Sequence, residues 1–297
     1  MIFKTSILIF VFINLVTPVL SAEEKKPQID SDQQISDFSL AGYGEKGKKT
    51  WDLSGKSADI FTEVVKLKDV VGNLYGKEED IKLTARRGDF NKVEGKVHLE
   101  QDVVITTSSG AKLTTDSLDW DRKNQLVTTQ DTVNIQRDNM VTVARGAKGE
   151  PNLKKVALEK EVKVDLNPQD PVQGQDSGIK EKTTITCDGP LEIDYEKNIA
   201  SFNNNVKVAR PDSVIYSDKM DVYFIASGSD SQNATGSEKA PGLMGNKIDK
   251  IIARGNVKVV RGENISYSEE ATYTASDRKI VLSGKPRLII YSSEELK

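Results

Sequence analysis

One cysteine and one histidine occur in the 297 residues. Cys187 has no partner in the chain, so an intramolecular disulfide is excluded. His98 and Cys187 fall far short of a Cys/His zinc set. No metal and no other cofactor is expected. Hydrophobic residues make up 37% and aromatics 6%, with Trp51 and Trp120 the only tryptophans. That apolar share is low for a globular domain, so the core is thin, as in a two-layer β structure, or shared with something else. The formal net charge of -3 argues against a nucleic-acid partner. There is no G-x-S-x-G nucleophile motif and no Gly-rich phosphate loop. No segment carries a sustained helical stripe.

Only one long apolar run is present. Ile7 to Leu20 follows Lys4 and precedes Ser21 and Ala22. The pattern fits a secretory signal peptide, residues 1–22, cleaved after Ala22. A retained membrane anchor is the alternative, although the run is short for a span. Either fate puts the rest of the chain outside the cytoplasm.

Beyond the polar tail, apolar residues alternate with polar ones in many short runs. Phe38 and Leu40, Trp51 and Leu53, and Val97 and Leu99 are early examples. Leu191, Ile193 and Tyr195 are later ones. Period two with abundant Val, Ile and Thr predicts strands with one buried face. Residues 167–181, with two Pro and two Gly, read as a linker. Residues 227–246 read as an exposed, mobile loop.

The runs repeat. "QDVVITT" at Gln101, "QDTVNIQR" at Gln130, "EKEVKVDL" at Glu159, "NNNVKVAR" at Asn203 and "ARGNVKV" at Ala253 share an acid or Asn, then Val, then alternation. Each copy reads as a short strand that starts from a turn. A second phrase lies between copies, as in "TTDSLDWDRKNQL" at Thr114 and "YSEEATYTASDRKI" at Tyr267. The unit is a strand pair of roughly 30 residues, and stacked pairs give an elongated, antiparallel two-sheet structure.

These phrases carry a resemblance. "ARGNVKV", "EEATY" at Glu269 and "LSGKP" at Leu282 resemble, in the same order, the repeat of the OstA-like lipopolysaccharide-transport family that includes LptA. The likeness covers residues 182–297. Trp51, Leu53, "LTARRGDF" at Leu83, Gly95, Val97 and "LTTDSLDW" at Leu113 resemble the LptC family over residues 37–166. The resemblance implies two tandem modules of a twisted, open β-jelly roll with a V-shaped interior for lipopolysaccharide acyl chains. It implies edge-to-edge β pairing with further bridge modules or an outer-membrane insertion protein. It also implies an inner-membrane ATPase/permease complex as partner, and a periplasmic location.

On that reading the groove is lined by Val103, Ile105, Leu118, Trp120, Val133, Ile135, Leu191, Ile193, Val206, Val208, Val257 and Val259. The same residues also suit a plain core between sheets. Lys207, Arg210, Lys258 and Arg261 recur at matching places and suit either phosphate contacts at a rim or charges that block edge pairing. Asp116, Asp119 and Asp121 crowd one stretch, but Asp119 and Asp121 alternate with Leu118 and Trp120 and so face outward. Catalysis is not expected. A structural β-solenoid or adhesin, and a polysaccharide-binding or lyase domain, are the rival readings.

Overall fold

The computed structural model describes residues 32–291 except 45–46, 77–78, 109, 122, 125, 138–139, 151–154, 168–181, 195, 226–246 and 277–278. The apolar N-terminal run, all but the start of the expected linker, the loop 227–246 (whole) and Tyr195 lie outside the described residues.

Every regular element described is a β-strand. Strands β1 (Gln33–Tyr43), β2 (Lys49–Ile60), β3 (Val64–Tyr75), β4 (Asp80–Asn91), β5 (Lys96–Thr107) and β6 (Lys112–Asp121) form successive antiparallel pairs. The meander continues through β7 (Leu126–Arg137), β8 (Met140–Gly149) and β9 (Lys155–Leu166). Strands β10 (Thr183–Cys187) and β11 (Leu191–Asp194) lie end to end. They share one place in the sheet, between β9 and β12 (Ile199–Ala209). Then come β13 (Val214–Ile225), β14 (Lys247–Arg261) and β15 (Asn264–Thr274). The last place, beside β15, is again shared, by β16 (Lys279–Ser283) and β17 (Arg287–Ile289). The sheet runs without a break from β1 to β17, because Leu166 of β9 pairs with Thr183 of β10.

The recurring phrase marks a corner inside a strand, not the strand's beginning. Midway along β3, β5, β9, β12 and β14 the backbone turns left-handed at Asp69, Asp102, Glu161, Asn205 and Asn256. A buried valine succeeds each: Val70, Val103, Val162, Val206 and Val257. Asp37 and Phe38 do the same in β1. The pairing register slips at most of these points, for example between Glu100 and Val103 and between Arg254 and Val257. An extra residue on one strand bends it sharply and re-aims the residues beyond the bend. Asn and Asp tolerate the left-handed region, whereas a β-branched residue there is strained. That tolerance explains the order acid or Asn, then Val. Asn205 and Asn256 secure the outside of the corner by donating amide hydrogen bonds to the Asp188 and Asp218 carboxylates.

On the inside, the corner residues form a spine in which large and small side chains alternate from strand to strand. Phe38 lies opposite Gly55, Val70 opposite Ala85, Val103 opposite Thr115 and Val133 opposite Ala144. Val162 lies opposite Cys187, Val206 opposite Ser217 and Val257 opposite Ser268. Alternating sizes let facing side chains pack closely at the bend. Gly55 is required by its partner, since a Cβ there would sit 2.7 Å from the Phe38 ring. Cys187 occupies a small slot, is buried, and has its thiol pushed up by that burial. The Ser217 and Ser268 hydroxyls are buried with no hydrogen-bond partner among the described residues.

The core is uneven. One large cluster extends from Val133 to Ala271, and Leu158, Leu191 and Phe202 are among its fully buried members. The N-terminal strands hold two small clusters, around Phe38 and Val70 and around Leu99 and Val103.

Candidate functional site

The inner face beside the spine carries one unbroken row of directly opposed residues. It runs Leu40, Leu53, Gly72, Leu83, Ile105, Leu113, Ile135 and Thr142. It continues through Val164, Ile185, Val208, Ile215, Val259, Ser266 and Leu288. At about 4.8 Å per strand the row is on the order of 65 Å long. Its two ends are open: Leu40 is 55% and Leu288 58% exposed. The middle, from Thr142 to Val208, is buried, while Leu53, Leu83, Ile105, Leu113 and Ile135 are only half-buried.

A second row lines the other arm of each bent strand. Ile35, Ala58, Leu67, Gly88, Leu99 and Leu118 oppose one another in turn. Farther along come Leu158, Leu191, Phe202, Met220, Ala253, Ala271 and Leu282. Two apolar walls thus flank the spine. A cleft of about 540 Å³ lies at the end of the N-terminal strands, where Val97, Trp120 and Leu126 meet the polar Asp89, His98 and Asp119.

All twelve sequence-predicted lining residues lie on this inner surface. Val103, Leu118, Val133, Leu191, Ile193, Val206, Val208 and Val257 are buried among their neighbours. Ile105, Trp120, Ile135 and Val259 are half-buried. The row also contains Leu113, Ile185, Ile215 and Leu288, which sequence reasoning does not single out as lining. The corner accounts for the first three: lining residues stand two places after each corner valine, and two places before each small partner, while Leu288 joins the row by pairing with Ser266.

The four recurring cations separate into two sites. Lys207 and Lys258 stand on the outer face, each with its ammonium 5.8 Å from the Tyr216 ring centre. Arg210 and Arg261 converge on Asp212 at the strand ends, at 4.0 and 3.1 Å. Asp119 is bound to His98 Nδ1 at 2.6 Å on the exposed face. Asp121 accepts backbone hydrogen bonds from Lys123 and Asn124 in the next turn, which hold its carboxyl below the usual range. Arg86 pairs with Asp102, and Arg87 with Glu100. No group of three or more potential metal ligands occurs among the described residues. Among the same residues, no helix is long and apolar enough to cross a membrane.

The geometry, then, offers apolar contact over a long inner face. The comparisons with known proteins point the same way. The family described as lipopolysaccharide-assembly, LptC-related, matches residues 2–167. The family described as LptA/(LptD N-terminal domain) LPS transport protein matches residues 185–295. No curated protein matches the chain. These are families of transport and binding proteins, periplasmic or facing the periplasm. The chain belongs to the LptC-related lipopolysaccharide-assembly family, with an LptA-like half fused behind its LptC-like half in one β-jelly-roll sheet.

Proposed function

We propose that this protein carries lipopolysaccharide between the inner and outer membranes by covering its acyl chains with the inner face of the sheet. The observation that supports this is the unbroken, largely apolar row from Leu40 to Leu288, with Thr142 and Ser266 its polar members and both ends exposed. Leaving several hundred Å² of acyl chain in water costs on the order of 10 kcal/mol at about 25 cal/mol per Å². An apolar interior removes that cost without covalent chemistry. The half-buried stretch from Leu53 to Ile135 is where lipid first gains access. The closed middle opens as the two walls part around the spine.

The edges extend the path. Among the described residues, strand β1 pairs only with β2, and β16 and β17 pair only with β15. Their outer sides have free backbone groups that a partner strand can pair with. Ile35, Leu40, Ile280 and Leu288 are exposed there. β1 faces the inner-membrane export complex that supplies energy, and β16 and β17 face a further bridge module or an outer-membrane insertion protein. Residues 37–166 and 182–297 act as two modules joined by the linker 167–181. Residues 1–22 direct export. N-terminal sequencing of the exported protein distinguishes cleavage after Ala22 from a retained anchor.

Photoreactive residues placed at Ile135 and Val208 should crosslink to lipopolysaccharide. The adjacent outward positions Asn134 and Lys207 should do so far less. Val206→Asp puts a carboxylate into the spine at a cost of several kcal/mol and should lower lipid retention, with circular dichroism confirming an intact sheet. Equal labelling from both faces, or from neither, overturns the reading.

A further inference from the structure

The outer face of the C-terminal half carries a second ordered row, independent of what the interior holds. Across β12, β13, β14, β15 and β17, the directly opposed residues are Lys207, Tyr216, Lys258, Tyr267 and Arg287. Cations and tyrosines alternate strand by strand. Lys258 lies over both rings, at 5.8 Å from Tyr216 and 6.0 Å from Tyr267, and the Arg287 guanidinium is 5.1 Å from Tyr267. The rings hold the cations in line by cation–π attraction.

Several other cations of the outer face are engaged by carboxylates. Arg145 pairs with Glu161, Lys163 with Asp165, and Arg254 with Asp221 and Glu270. Lys207, Lys258 and Arg287 have no carboxylate within ion-pair distance among the described residues, so their charge is left for a partner. Lys207 and Arg287 are exposed, and Tyr216 is 38% exposed.

We propose that this row binds an extended acidic glycan lying across the strands. Successive cations are two strands apart, about 10 Å. One extended sugar residue advances a chain by about one strand spacing, so an acid on alternate sugars meets each cation in turn. Tyr216 and Tyr267 stand where the intervening neutral sugars lie, and their hydroxyls offer hydrogen bonds to sugar hydroxyls. A peptide fits less well, because side chains standing up from a sheet face offer no backbone ladder.

The full-length protein should be tested by calorimetry against hyaluronate oligosaccharide, which carries its carboxylate on alternate sugars. Neutral dextran and vesicles of phosphatidylglycerol and phosphatidylcholine serve as the other arms. Hyaluronate should bind and dextran should not, and added salt should weaken binding. The triple variant Lys207→Gln, Lys258→Gln, Arg287→Gln should lose about tenfold or more in affinity with the loss of three cationic contacts. Lys207→Arg with Lys258→Arg should retain binding, and Arg86→Gln with Arg87→Gln should leave it unchanged. The proposal is overturned if the wild type fails to bind hyaluronate, if dextran binds equally, or if the triple variant binds as well as the wild type. Binding to the vesicles alone overturns it too, and would make the row a membrane contact.

Discussion

The first strands and the middle of the sheet obey one rule and close to different degrees. Both place a large residue opposite a small one along the corner spine. Yet the row beside it is half-buried from Leu53 to Ile135 and buried from Thr142 to Val208. Part of the difference lies on the opposite wall. In the first strands that wall includes the small Ala58 and Gly88 beside Leu67, Leu99 and Leu118, whereas beside the buried stretch it is Leu158, Leu191, Phe202 and Met220 without interruption. Ala58 and Gly88 leave room between the arms, and the run of large side chains fills it. The volume of that wall thus contributes to closure, on a backbone scheme common to both.

The strongest way to break this comparison is to empty the closed half. Phe202→Ala should cost about 3–5 kcal/mol in a urea melt, the range for a buried aromatic. Ile105→Ala, on the half-buried row, should cost clearly less. Similar losses at both sites would mean that the halves are equally packed.

The corners should respond alike in both halves. Asp69→Val and Asn256→Val each force a β-branched residue into the left-handed region and should cost about 1–3 kcal/mol. Replacement of either by Gly should be far milder. A corner valine has the reverse requirement, so Val70 and Val257 belong to packing and Asp69 and Asn256 to conformation.

Smaller effects sharpen the contrast. Ser217→Ala and Ser268→Ala remove buried, unpaired hydroxyls from small slots and should stabilise the C-terminal half by up to about 1 kcal/mol each in the same assay. In the N-terminal half, the Asp52 carboxyl is lowered to about 2 by hydrogen bonds from Lys49, Asn73 and Tyr75. A depressed carboxyl contributes stability that is present above its unfolded value and lost as pH falls through the folded one. Asp52 should therefore titrate near pH 2 in a carboxyl NMR experiment, and Asp52→Asn should remove the stability change between about pH 4 and pH 2.

Much of this is legible in the sequence because alternation reports a face directly. Strands, their inner residues and the buried role of Cys187 come from period two. The corner does not. "NNNVKV" looks like a turn leading into a strand, because Asn in the left-handed region is the usual sign of a turn. Only the pairing of Asn203 and Val206 with Lys219 and Ser217 shows that the strand runs through it. The full lining row is hidden for the same reason, since bulges set the register and periodicity does not see them. Sequence spacing alone leaves Lys207 and Lys258 as either rim contacts for phosphate or charges that block edge pairing. The row that includes Tyr216 and Tyr267 emerges only when strands far apart in the chain are laid side by side.

The strictly sequential pairing of the meander also bears on how the protein is made. Each strand finds its partner in the hairpin just before it, so none must wait for a distant segment. A chain that emerges N-terminus first can therefore zip up from β1, one hairpin at a time. Throughout that growth it presents a fresh open edge, which is prone to wrong pairing until the next strand arrives. The open side of β16 and β17 among the described residues is thus the last in a series of edges, each of which received the next strand as the chain grew.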